Sequence, residues 1–192
     1  MEALFTSTAV VALAEIGDKT QLLAILLATR FKRPLPIILG ILVATLANHA
    51  LAALLGAQAA AFLDSDIFRY VIGASFVAMA AWTLIPDKFE DDDAPKSHAG
   101  AFTTTLVAFF LVEMGDKTQV ATIALGARFH DVFTVTAGTT LGMMIANVPA
   151  IFLGHELLKR VDLNKVRMVA AALFLVIGLW VLAQTAGLFG AG

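Results

Sequence analysis

Residues 15–21 read Glu-Ile-Gly-Asp-Lys-Thr-Gln, and residues 113–119 read Glu-Met-Gly-Asp-Lys-Thr-Gln. The same offset, 98 residues, superposes Arg30-Phe31 on Arg128-Phe129, Gly40 on Gly138 and Gly56 on Gly154. It also places Asp64 on Asp162, Arg69 on Arg167 and Trp82 on Trp180. A chain written twice folds as two related units. The reading is therefore a first repeat over 1–86, an acidic linker over 87–99 and a second repeat over 100–192.

What each repeat can be follows from where charge is missing. Residues 34–63, 70–86, 97–112, 132–155 and 168–192 contain no Asp, Glu, Lys or Arg. A helix needs about 20 mostly apolar residues to cross a bilayer. Six helices are predicted, at roughly 4–29, 36–62, 67–86, 101–127, 132–157 and 166–188. The apolar runs are continuous rather than alternating, which excludes strands. Hydrophobic residues make up 59% of the chain and charged ones 15%. Soluble domains average about 45–50% and about 25%. The fold class is thus all-α, a polytopic membrane protein. The net charge of −2 argues against a nucleic-acid partner. With no cysteine, disulfides, thiolate metal sites and Cys nucleophiles are excluded.

Three helices per repeat is an odd number, so the second repeat must enter the membrane from the opposite side. The charges agree. Arg30, Lys32, Arg33, Lys88, Lys96, Lys159, Arg160, Lys165 and Arg167 follow the odd-numbered helices, against Arg69 and Arg128 on the other side. The positive-inside rule makes the first set cytoplasmic, with both termini extracytoplasmic and the central loop inside. Inverted repeats of this kind typify secondary transporters, whose site lies near the midplane where the repeats meet. Met1-Glu2-Ala3 lacks the basic start of a cleaved signal peptide, so the first helix is expected in the mature protein.

The chain has 13 basic and 15 acidic residues, and six of these lie deep inside expected spans rather than in loops or near span ends: Glu15, Asp18, Lys19, Glu113, Asp116 and Lys117. A charge at the bilayer centre costs about 2.5–3.5 kcal/mol on insertion scales. Such residues face the protein interior and mark ion or proton paths. Glu15 and Asp18, at i and i+3, and Lys19, at i+4, share one helical face, and Glu113, Asp116 and Lys117 repeat this. If the first and fourth helices meet, four carboxylates and two ammoniums converge with a formal charge of −2. That balances one divalent cation or two protons. All-oxygen sites select hard cations such as Mg²⁺, Ca²⁺ and Mn²⁺. The bland alternative is an internal salt bridge in each copy, Glu15 with Lys19 and Glu113 with Lys117. Doubling of the motif and the excess of carboxylates favour the ion site. Thr20, Gln21, Thr118 and Gln119 are supporting oxygen donors. Gly17 and Gly115 permit close backbone approach or a local break in the helix.

Other residues carry weaker signals. Asn48 and Asn147, 99 apart, can offer amide oxygens or interhelical hydrogen bonds. His49 reads as a proton relay or as a packing hydrogen bond. Pro149 points to a kink near Asn147. Gly138 and Gly142 read as close helix packing, and Trp82 and Trp180 as interface anchors. Glu90 to Asp93 reads as solvated loop.

The doubled Glu-x-Gly-Asp-Lys-Thr motif resembles the signature of the transmembrane protein 165 (Gdt-type) family. This family of cation/proton exchangers has Golgi members in eukaryotes and small manganese exporters in bacteria. Glu15 to Thr20 and Glu113 to Thr118 match every defined position, and the likeness covers essentially the whole chain. The resemblance implies export of Mn²⁺, with Ca²⁺ as alternative or additional substrate, in exchange for protons. It also implies that Glu15, Asp18, Glu113 and Asp116 are the metal and proton residues. No permanently bound cofactor is expected; the lipid bilayer is. The absence of an N-terminal extension suggests a prokaryotic form in the inner membrane. The rivals are an exporter of a small organic cation or amino acid, which needs an aromatic-lined pocket, and an intramembrane enzyme. No HExxH or nucleophile elbow supports the enzyme.

Overall fold

The structure, a computed structural model, describes residues 1–62, 65–86, 100–154 and 162–188, and among them every regular element is a helix. The acidic linker, Asp64 and most of the loop after the fifth expected span lie outside these residues. In chain order the helices are α1 Glu2–Glu15, α2 Lys19–Phe31, α3 Pro34–Phe62 and α4 Asp66–Thr83, then α5 Ala101–Glu113, α6 Lys117–Phe129, α7 Val132–Leu153 and α8 Leu163–Thr185. Three are individually long and apolar enough to cross a membrane: Pro34–Ala61, Val132–Leu153 and Leu163–Thr185.

Two expected helices are each broken in the middle. The segment read as one helix over 4–29 is α1 and α2, and that over 101–127 is α5 and α6. The cause is local. Gly17 has φ +83° and Gly115 φ +79°, a left-handed conformation that only glycine adopts freely. The residues before them, Ile16 and Met114, and after them, Asp18 and Asp116, are extended. Glu15 and Asp18 therefore do not share a helical face by i, i+3 spacing. Pro34 opens α3 at its first position, where its missing N–H costs nothing. Pro149 sits inside α7, which runs on to Leu153.

Packing exchanges partners between the two halves of the chain. α1 lies along α7, and its counterpart α5 lies on α3, the counterpart of α7. α4 pairs with α8, and α3 also packs on α6. Small residues let the backbones approach. A Cβ on Gly138 would sit 2.7 Å from the Leu4 carbonyl oxygen, and one on Gly142 would sit 2.7 Å from that of Thr8. This pair is the close packing expected of its spacing. One apolar core joins Phe76 and Phe174, with ring centroids 6.3 Å apart, to Leu125 and Val135. Another gathers Leu23, Leu27, Ile37, Ile41, Phe109 and Met143. Outside, large apolar side chains such as Leu39, Val43 and Leu46 on α3 and Leu175, Val176 and Leu179 on α8 are exposed. The outer faces of these helices are thus apolar rather than polar.

Candidate functional site

The two helix breaks bring the chemistry together. Glu15 ends α1, and Asp18 holds the position just before α2; Glu113 ends α5, and Asp116 holds the position just before α6. Each break is held by the same bonds. The Asp18 N–H donates to the Glu15 carbonyl at 3.0 Å, and that of Asp116 donates to Glu113 at 3.2 Å. The Gly17 N–H donates to Gln21 Oε1 at 2.9 Å, and the Gly115 N–H donates to Gln119 Oε1 at 2.6 Å. The two glutamines thus brace the breaks. Their amide nitrogens then reach across: Gln21 donates to the Ala146 carbonyl at 2.9 Å, and Gln119 donates to Asn48 Oδ1. Thr20 donates to Glu15, and Thr118 donates to Glu113 at 2.6 Å. The N-terminal ends of α2 and α6 add partial positive charge beside these carboxylates.

The lysines cross over. Lys117 Nζ lies 3.2 Å from Asp18 Oδ1, and Lys19 Nζ lies 3.7 Å from Asp116 Oδ1. Each half supplies the counter-charge to the other half's aspartate. This is not the internal Glu–Lys bridge of the bland alternative. Breaking the helix after each glutamate carries the lysine that follows across to the other half's aspartate. Lys117 is 6% exposed and Lys19 28%.

Glu15, Asp18 and Asp116 are all buried, and each offers a carboxylate oxygen within 4.8 Å of the others. Three hard anionic donors at that separation can close on one cation. Glu15 Oε1 and Asp116 Oδ2 have no hydrogen-bond partner among the described residues. Glu113 is also buried but stands outside this group. Its Oε1 takes the Thr118 hydroxyl and lies 3.3 Å from His49 Nε2. Asn147 Nδ2 lies 3.5 Å from Glu15 Oε2 and also points to the Met143 carbonyl and sulfur. The oxygen of Asn48 is committed to Gln119, and its amide nitrogen donates to the Phe110 carbonyl at 3.3 Å.

His49 is the residue the sequence undervalued. The repeat offset, applied strictly, pairs Asn147 with His49, and pairs Asn48 with Ala146. Matching like with like hid this. The structure follows the offset: His49 and Asn147 each meet a glutamate of the opposite half, while Asn48 and Ala146 each accept from a bracing glutamine.

The family model described as "Divalent cation/proton antiporter GDT1" matches residues 3–91 and again 101–188. The chain belongs to the GDT1 family. Among GDT1 relatives, a Vibrio cholerae protein named "Putative manganese exporter" is 49% identical over 180 residues, covering 93% of this chain and 90% of the relative. A GDT1-like protein of Synechocystis is 29% identical over 185 residues, covering 85% and 88%. A GDT1-like protein of rice is 26% identical over 200 residues, covering 91% of this chain and 71% of its own length. No solved structure matches this GDT1 member significantly.

Proposed function

We propose that this protein exports a divalent cation, Mn²⁺ foremost and Ca²⁺ in addition, in exchange for protons. The observation that carries the reading is the buried cluster of Glu15, Asp18 and Asp116, with oxygens within 4.8 Å. The family description and the name of the Vibrio relative support the choice of cargo. Ligand chemistry agrees, since carboxylates without thiolates suit Mn²⁺ and Ca²⁺.

The mechanism follows from charge balance. Four carboxylates and two lysines leave two negative charges in surroundings that pay heavily for unpaired charge. One divalent cation neutralises them, and so do two protons. The two loads exclude each other. Glu15, Asp18 and Asp116 take the cation from the cytoplasmic side, with Glu113 beside them. The halves rock about the breaks and open the site outward. Protons from outside then displace the cation, and the protonated site returns. Lys19 and Lys117 keep the empty cluster from flying apart.

The membrane arrangement belongs to the same proposal. α1 with α2, and α5 with α6, each form one interrupted crossing, giving six crossings in two inverted repeats. The exchange of packing partners between the halves supports this. Discontinuous helices meeting near the midplane are a common transporter device. Both termini face outward in a prokaryotic inner membrane.

Purified protein in liposomes, loaded with metal-sensitive and pH-sensitive dyes, tests the reading. Mn²⁺ gradients are expected to drive opposite proton flux, and E15Q or D116N to abolish it while leaving folded protein. Silence towards every divalent cation, or wild-type exchange in both variants, overturns it.

A further inference from the structure

The two halves are not equivalent at the glutamates. Position 49 of the first half corresponds to position 147 of the second, and the residues there are His and Asn. The Asn147 amide is divided among the Met143 carbonyl at 3.1 Å, the Met143 sulfur at 2.8 Å and Glu15 at 3.5 Å. That is a loose hold on Glu15. The His49 ring is fully buried, and its Nε2 is directed at Glu113 Oε1 at 3.3 Å. Thr118 donates to the same oxygen, as Thr20 does to the Glu15 oxygen that Asn147 faces, so the difference between the halves lies at positions 49 and 147. The outcome differs accordingly. Glu15 joins Asp18 and Asp116 in the three-oxygen group, and Glu113 does not.

We propose that His49 is a positioning residue that holds Glu113 back from the cation cluster, fixing the carboxylate count at three and thereby the ion preference. This rests on the cation-site reading above. Removing the hold lets Glu113 close on the ion as Glu15 does. A fourth carboxylate favours Ca²⁺, which takes 6–8 oxygens, more than it favours smaller hard cations.

Mn²⁺ and Ca²⁺ affinities of purified protein, measured by calorimetry, test this. H49N makes the halves alike and is expected to tighten Ca²⁺ binding by about 10-fold or more, the usual scale for partners of metal ligands. Mn²⁺ should gain less. The effect is expected to vanish in an E113Q background, because His49 acts through Glu113. H49L, lacking any donor, should behave as H49N does. H49Q, whose amide reaches about as far as the imidazole Nε2, should restore the wild-type Ca²⁺/Mn²⁺ ratio, and H49L against H49Q decides the matter should H49N fail to fold. An unchanged ratio in H49N and H49L, or an equal change with and without E113Q, overturns the proposal. A wild-type protein that binds neither cation overturns the function reading itself.

Discussion

Lys117 and Asp18, both nearly fully buried, stand 3.2 Å apart between the two halves. Removing one partner of a buried pair leaves an uncompensated charge, at a cost of about 3–5 kcal/mol. K117M is therefore expected to lower the unfolding midpoint in detergent sharply, and adding D18N to recover most of the loss. K19M should cost less, since Lys19 is 28% exposed and its pair is longer, 3.7 Å. An unchanged midpoint in K117M would show that the crossed pairs carry no structural weight. At this scale the sequence was informative about identity and silent about partners. Charges inside an apolar run announce a site by their cost alone. Which lysine faces which aspartate depends on the turn of the backbone between them, and residue spacing assumes a helix that is not there.

The broken helices are the element on which the site depends. Their glycines stand in different surroundings. A Cβ on Gly115 meets nothing within 4 Å, whereas one on Gly17 would lie 2.7 Å from Leu163 Cδ2. G115A should then pay only the left-handed backbone strain, about 1–2 kcal/mol. G17A should pay that and the displacement of Leu163 at the start of α8. Chemical unfolding of the two variants checks the order; equal costs would mean that the contact on α8 yields freely. Hydropathy located the apolar helical stretches because it averages over many residues. It passes over a three-residue interruption, since the apolar run continues on both sides. Gly17 and Gly115 allow a break, but glycine in a helix is also tolerated for close packing, as Gly138 shows.

Across the whole molecule, inverted repeats require Lys32 and His130, equivalent by the repeat offset and both exposed, to lie on opposite sides of the membrane. The chain has no cysteine, so K32C and H130C are clean single-thiol variants. An impermeant maleimide added to intact cells is expected to label H130C and to reach K32C only after lysis. Labelling of both from one side would remove the inverted arrangement. The fold class was legible because apolarity survives any ignorance of geometry. The difference between the halves was not, since it rests on single side chains such as His49. The crossed lysines have a further consequence. Each half's lysine answers the other half's aspartate, so a change of charge at one of them unbalances a residue encoded almost a hundred codons away. The two copies are bound to change together, and a half expressed by itself would lose the lysine that the other half lends to its aspartate.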